Sequence, residues 1–248
     1  MVKRIFSFSI LLISLFLSAC VLLQAQNAQP DTKNNDAEKI PLYNGVYVGA
    51  DIYGIGNQLF GSDFFTTEIS VDVNLKRRFF PVVELGYGKT DVLGELGTHY
   101  KAAAPYFRIG MNYNSSYKKN RESHWYVGVR YGVSGFSYDV EQLSMKDPIW
   151  NETVGNNPAL KDEIWGGGSL PYEHPGLKAN VQWYELVFGV RVQVYKNFMI
   201  GWSVRSKTSL SASISEYGSP WYIPGYGIYG SSKLALTYSL IYKLPFQK

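Results

Sequence analysis

The sequence predicts an all-β fold in which eight antiparallel strands close as an up-and-down barrel. Apolar and polar residues alternate with a period of two in stretch after stretch from Gly45 onward, as expected for strands that present two different faces. The composition supports this prediction, because 20 Tyr, 13 Phe, 6 Trp and 24 Gly among 248 residues favour strands and turns over helices. Eight is an even number, which suits closure as an up-and-down barrel.

The chain begins with a segment that resembles a secretory signal peptide. Lys3 and Arg4 precede an apolar run over residues 5–23, and small residues follow it. We therefore expect residues 1–25 to be a signal peptide. An uncleaved membrane anchor is the alternative, since the run is just long enough to span a bilayer.

A second targeting feature lies inside this segment. Leu17-Ser18-Ala19-Cys20 resembles the lipobox of bacterial lipoproteins, which makes Cys20 a candidate lipidation site, although the apolar run continues past the cysteine. Residues 26–42 are polar and aperiodic, and we interpret them as a linker to a single barrel domain over residues 43–248.

Eight alternating stretches define the predicted strands. Stretch 65–75 is the clearest, because Ile69, Val71 and Val73 share one face while Glu68 and Asp72 share the other. The predicted strands cover residues 45–53, 65–75, 80–88, 105–113, 125–134, 184–194, 198–205 and 234–244.

The two faces of these strands predict which side of the barrel meets lipid. The apolar faces hold no charged residue and carry more rings and branched side chains than an eight-stranded interior accommodates. The opposite faces are rich in glycine, which suits a crowded lumen. We therefore expect a transmembrane barrel with its apolar faces outward. A lipocalin-like barrel, the alternative, would bury the apolar faces.

The predicted connections segregate by length. Connections 76–78, 114–123 and 195–197 are short, whereas 54–64, 89–104, 135–183 and 206–233 are long. Short periplasmic turns and long external loops are typical of outer-membrane barrels. The sequence thus predicts an outer-membrane location, reached through the periplasm. Outer-membrane lipid, lipopolysaccharide and, during biogenesis, the barrel-assembly machinery are the partners that this location implies.

Several segments carry a resemblance to a known family. The stretches GVYVGADIYG, NLKRRFFPVVELGYGKTD, WYELVFGVRVQVYKNFMIGWSVR and LTYSLIYKLPF resemble Bacteroidetes outer-membrane β-barrel proteins classed as domain of unknown function 6048. The resemblance covers about residues 40–246 and implies an outer-membrane barrel with no assigned activity. The chain ends Pro245-Phe246-Gln247-Lys248, and so it lacks the terminal aromatic residue of many such barrels.

Ten charged residues lie on the predicted lumen faces. Four of the five acids belong to the first three strands and all five bases to later strands, so we expect ion pairs that cross the lumen. An unpaired buried charge costs several kcal/mol, so the network must be closely paired or hydrated. We interpret it as a structural polar plug, with a proton or ion path as the alternative. The residues are Asp51, Glu68, Asp72, Glu84, Glu185, Arg108, Arg130, Arg191, Arg205 and Lys243.

The sequence offers little material for catalysis or cofactor binding. Some eight-stranded outer-membrane barrels modify lipid A, and His99 and His174 lie in predicted external loops, but no strand carries a His-x-Ser pair. One Cys and three His, without metal-binding spacings, predict neither a cofactor nor a metal site. The scattered net charge of +4 does not indicate a nucleic-acid partner. We therefore expect a protein that is not an enzyme.

The external loops are the predicted working surface. Loops 135–183 and 206–233 exceed the length needed to join neighbouring strands and carry aromatic residues favoured at contacts. We expect a structural or surface-interaction role, with a narrow channel or small-ligand-binding barrel as the alternative; no ligand class is indicated. The alternative for the loop rings is that they cap the barrel mouth. The candidate contact residues are Trp150, Trp165, Tyr172, Trp221, Tyr222 and Tyr226.

Overall fold

Eight long strands of the chain form one closed antiparallel barrel in the computed structural model. The structure describes residues 41–54, 56, 61–93, 98–118, 121–142, 172–213, 220–230 and 234–245. The barrel strands are β1 (Tyr43–Asp51), β2 (Phe64–Leu75), β3 (Phe79–Leu93), β4 (Thr98–Asn114), β5 (His124–Gln142), β6 (Tyr172–Tyr195), β7 (Phe198–Ser213) and β10 (Leu234–Lys243). A small hairpin, β8 (Tyr222–Ile223) and β9 (Gly227–Ile228), lies between β7 and β10 in the chain.

The barrel has up-and-down topology, with each long strand paired to its neighbours in sequence. The ring runs β1-β2-β3-β4-β5-β6-β7-β10 and closes where β10 pairs with β1, for example Tyr242 with Val48. The predicted all-β class and the antiparallel arrangement of eight strands are confirmed. The expected signal peptide, Cys20 and most of the linker lie outside the described residues, as do Trp150 and Trp165.

The apolar strand faces point outward. Leu85, Val129 and Leu186 are 60%, 53% and 63% exposed, whereas Glu84 and Glu185, their neighbours on the opposite face, are 2% and 0% exposed. The expected direction of the faces is therefore confirmed, and the lipocalin-like alternative is wrong. From Phe79 to Tyr87 the apolar wall rises about 27 Å along β3, or about 20 Å along the axis of a barrel with strands tilted about 40°. Among the described residues, no helix is long and apolar enough to cross a membrane.

Five strands extend further than the sequence predicts. β3 and β4 continue until only residues 94–97 separate them. The prediction of a long external loop at 89–104 is therefore wrong. β5 and β6 likewise take both ends of the expected loop 135–183, and β7 takes the start of 206–233. We call these extensions the upper zone and the remaining part of the barrel the lower zone. The upper zone consists of residues 89–93, 98–104, 135–142, 172–183 and 206–213.

The polarity of the two faces reverses between the zones. In the upper zone Lys101 and Asp139 point outward and are exposed, while Tyr100 and Tyr138 point inward and are buried. The inward rings form an apolar core with Phe136, Val181 and Trp183. A strand predicted from one continuous apolar face ends where this face changes sides. The predicted strand ends are therefore too early.

A charge cluster and a hairpin plug in the lumen as the candidate functional site

Six neighbouring strands each contribute one charged side chain to the centre of the lumen. Strict alternation turns these side chains inward, and register places Glu84 opposite Arg108 and Arg130 opposite Glu185. Three carboxylates meet three guanidinium groups, so this central cluster is formally neutral. It consists of Glu68 on β2, Glu84 on β3, Arg108 on β4, Arg130 on β5, Glu185 on β6 and Arg205 on β7.

Glu84 is the hub of the central cluster. Its Oε1 lies 2.9 Å from Arg130 Nε, and its Oε2 lies 3.1 Å from Arg108 Nη1 and 2.7 Å from Arg205 Nη1. Arg205 also reaches across the lumen to Glu68, with its Nη2 3.1 Å from Oε1. The expected ion pairs across the lumen are therefore present. All these side chains are buried. Because each of them lies beside an opposite charge, the cluster holds paired rather than isolated charges.

Uncharged donors and acceptors, which are not among the residues predicted from the sequence, complete the cluster. Trp183 Nε1 donates to Glu185 at 2.7 Å, and the Tyr106 hydroxyl donates to Glu68 at 3.0 Å. Arg130 Nη2 donates to the side-chain oxygen of Asn112 at 2.7 Å. Trp183, Tyr106 and Asn112 each lie two or four positions from a cluster charge in the same strand. Period-two spacing is therefore the signal that could have identified them.

Two glycines make room for the rings that serve the cluster. A Cβ atom at Gly86 would lie 2.1 Å from the Tyr106 ring, and one at Gly132 would lie 2.3 Å from the Trp183 ring. Both separations are far below van der Waals contact, so any side chain there would displace a ring that donates to a carboxylate. The glycine-rich lumen face expected from the sequence thus has a packing cause.

A second ion pair lies nearer the short turns. Arg191 binds Asp72 through both of its Nη atoms, at 2.9 and 2.6 Å, and its guanidinium stacks 5.2 Å from the centre of the Tyr126 ring. A small polar cavity separates this pair from the central cluster, with Ser70, Ser203 and Ser239 in its wall. The lumen therefore contains two ionic barriers with a polar space between them.

Two of the predicted lumen charges lie apart from these barriers. Asp51 accepts a hydrogen bond from the Tyr53 amide at 3.0 Å, and the ion pairs between described residues do not include it. Lys243 binds Glu122 in the β4–β5 turn, at the rim of the barrel. Burial alone would raise the pKa of Glu122, but the hydrogen bond and charge of Lys243, with a 2.9 Å bond from Tyr47, hold it below its ordinary value.

The β8–β9 hairpin closes the upper end of the lumen. Tyr222, Ile223 and Tyr226 are 3%, 0% and 4% exposed and pack into the apolar core of the upper zone. Their burial contradicts the expectation that Tyr222 and Tyr226 are surface contacts and agrees with the alternative that loop rings cap the mouth. We call residues 220–230 the mouth plug. Trp221 is 40% exposed and lies against Phe64, with ring centres 5.5 Å apart.

Side chains of the wall hold the mouth plug by its carbonyl groups. Lys207 Nζ donates to Gly225 and Tyr226 at 2.9 Å each, and the Tyr100 hydroxyl donates to Tyr222 at 2.8 Å. Arg108 Nη2 donates to Gly225 at 3.2 Å, which links the plug to the central cluster. Lys207 is not among the predicted lumen charges because the predicted strand ends at residue 205. Tyr172 begins β6, opposite Gln142.

The candidate histidines are engaged with neighbours. His99 lies on β4, not in a loop, and its two ring nitrogens lie 2.7 Å from Asp91 and 3.5 Å from Glu141. His174 also lies on a strand, β6. Within the described ranges no group of three or more His, Cys, Asp or Glu side chains is placed to hold a metal ion.

These features define the class of the protein: an eight-stranded antiparallel barrel with an apolar outer wall and a lumen filled by ion pairs and a hairpin. The chain matches the family described as a domain of unknown function (DUF6048) over residues 5–248, and it belongs to that family. No curated protein and no solved structure matches the chain.

Proposed function

We propose that this protein is an outer-membrane β-barrel that acts as a closed, membrane-anchored scaffold with a structural or surface-interaction role. The observation that carries the proposal is the reversal of polarity along the barrel. A barrel surrounded by water has no physical reason to expose apolar side chains over one part of its wall and polar side chains over the next. A bilayer around the lower zone and water around the upper zone supply that reason.

The dimensions and the rim of the lower zone support this proposal. A wall of about 20 Å approaches the apolar band of about 25 Å typical of outer-membrane barrels. Aromatic rings cluster on the outer wall near the short turns, where Phe79 pairs with Tyr113 at 5.7 Å and Phe198 with Tyr242 at 4.9 Å between ring centres. Such aromatic belts lie at membrane–water interfaces.

The proposed orientation follows from the lengths of the connections. Residues 1–25 would direct export as a signal peptide, with Cys20 as a lipidation site if the lipobox is used. The short turns would face the periplasm, and the upper zone would face outward. Outer-membrane lipid and lipopolysaccharide would surround the wall, as in the Bacteroidetes barrels that the sequence resembles, after insertion by the barrel-assembly machinery.

The filled lumen supports a role without conduction or catalysis. The Asp72–Arg191 pair, the central cluster and the mouth plug lie one after another along the axis. The polar cavity between the two ionic barriers favours a second candidate, a narrow channel or small-ligand-binding barrel. Single-channel recording on the purified barrel separates the two candidates, because steady conductance would support the channel and refute the closed scaffold.

Two arginine substitutions on β5 test membrane insertion directly. Val129 and Ser137 are both exposed and outward, but Val129 lies in the lower zone and Ser137 in the upper zone. Val129→Arg places a charge in the middle of the apolar wall, which costs about 2–4 kcal/mol in a bilayer. We expect Val129→Arg to reduce the yield of folded, heat-modifiable barrel in vesicles and in outer-membrane fractions, while Ser137→Arg, the matched control, leaves it unchanged. Equal tolerance of both substitutions, with recovery as a water-soluble protein, would refute the proposal.

A further inference from the structure

The short turns of the barrel carry a dense group of basic side chains. The described parts of the β2–β3 and β4–β5 turns contain five cations and one acid, Glu122, which Lys243 already neutralises. The two turns are joined, since the Asn114 backbone amide donates to the Arg78 carbonyl at 2.8 Å and the Asn114 side-chain amide donates to the Arg77 carbonyl at 2.9 Å. We call this group the basic turn patch: Lys76, Arg77, Arg78, Lys118 and Arg121.

The backbone conformation of the β2–β3 turn does not favour the basic residues that occupy it. Lys76 and Arg77 have φ values of 53° and 56°, in the left-handed region that Asn and Gly adopt at least cost. A residue with a Cβ atom costs about 1–2 kcal/mol in that conformation. Lys196 in the β6–β7 turn, at the same end of the barrel, has a φ of 44°. Cations therefore occupy three strained positions in two turns at the same rim, which points to a function for the charge.

Arg78 fixes the depth of the basic turn patch relative to the apolar wall. Its guanidinium lies 5.1 Å from the ring centres of Phe79 and Tyr113 and 4.9 Å from that of Tyr117. Phe79 and Tyr113 are the first rings of the outer wall at the turn end. The guanidinium therefore lies at the edge of the apolar band, where lipid headgroups begin if the barrel spans a membrane. Its Nη2 donates to the Tyr113 hydroxyl at 3.3 Å, while its Nε is buried and has no hydrogen-bond acceptor among the described residues.

We propose that the basic turn patch binds the phosphate groups of anionic phospholipids in the leaflet that faces the short turns. This inference rests on the proposed function, because it requires the lower zone to be in a bilayer. Guanidinium groups bind phosphate through paired N–H donors, and clustered Lys and Arg side chains attract anionic headgroups. The aromatic rings beside Arg78 hold its donors at headgroup depth, and the flanking lysines add charge without fixed geometry.

The test measures lipid selectivity with spin-labelled phosphatidylglycerol and spin-labelled phosphatidylcholine as probes. The full mature chain is reconstituted in phosphatidylcholine vesicles, and the motionally restricted fraction of each probe is compared. We expect phosphatidylglycerol to associate roughly 2- to 5-fold more strongly, and less so at high salt. Lys76→Asn with Arg77→Gly removes two of the five charges while providing the favoured turn sequence, so this variant should fold and lose part of the selectivity. Lys89→Gln with Lys101→Gln removes two exposed charges from the upper zone and should leave the selectivity unchanged.

The outcomes distinguish this inference from the proposed function. Insertion into phosphatidylcholine vesicles, seen as heat-modifiable migration, reports the proposed function without any anionic lipid; failure to insert would refute both. Insertion with equal association of the two probes would overturn the inference alone. Equal loss of selectivity in both double variants would also overturn it, because net charge would then explain the effect. So would loss of selectivity on adding inorganic phosphate at constant ionic strength, since the patch would then bind free phosphate.

Discussion

Glu84 is the residue whose removal should disturb the lumen most. Its carboxylate contacts Arg108, Arg130 and Arg205 at 3.1, 2.9 and 2.7 Å and is 2% exposed. Glu84→Ala would leave three guanidinium groups facing two carboxylates in a space closed to bulk water. Removing one partner of a buried pair costs about 3–5 kcal/mol, because the charge left behind is not compensated. We expect a loss of about that size.

Reversible urea unfolding of the vesicle-inserted barrel, followed by tryptophan fluorescence, measures this loss. Glu84→Gln keeps the volume and one acceptor, so it separates the charge from the cavity that alanine leaves. Asp91→Asn is the matched control on the same strand, since its side chain is half exposed and should contribute less than about 1 kcal/mol.

A double variant tests whether the effect is electrostatic. Glu84→Gln with Arg130→Gln restores neutrality to the central cluster, so it should destabilise by less than the sum of the two single substitutions. A change within about 0.5 kcal/mol for Glu84→Gln alone would mean that water enters the lumen and hydrates the cluster, and the reasoning from a dry ion-pair network would be wrong.

Three further outcomes are expected, all measurable by the same unfolding assay. Gly132→Ala should destabilise by about 1–3 kcal/mol because its methyl group meets a buried ring, whereas Gly135→Ala on the same strand, with open space around it, should be neutral. Below the ordinary pKa of 4.5, protonation of Glu122 should remove the stability gained from its depressed pKa, by less than about 1 kcal/mol; parent and Lys243→Met should therefore differ above that pH and converge below it. Replacing residues 143–171 with a short Gly/Ser turn should leave the barrel folded, because the strand ends on either side are paired neighbours; failure to fold would show that this segment supports the barrel.

The sequence predicts the ring of strands and the lumen charges well because both depend on local alternation. Strand length was harder to predict, since β3 to β7 continue into the upper zone. There the inward face becomes apolar, with residues such as Tyr138 in place of charged side chains. The mouth plug could not be predicted either. Tyr222 and Tyr226 look like exposed loop aromatics in sequence, and their burial depends on contacts with Tyr100 and Lys207, more than a hundred and about twenty positions away.

The central cluster constrains the order in which the barrel can assemble. Glu68 and Arg205 are 137 positions apart in the chain, so the contact between them forms only after most of the protein has been made. The β2–β3 hairpin alone would hold Glu68 and Glu84 without their guanidinium partners on β4, β5 and β7, and the hydrocarbon of a bilayer would not solvate such charges. In a bilayer, the early strands therefore cannot enter one hairpin at a time. The cluster is complete only when β6 and β7 supply Glu185 and Arg205, so if the barrel spans a membrane we expect insertion to be coupled to late closure of the ring.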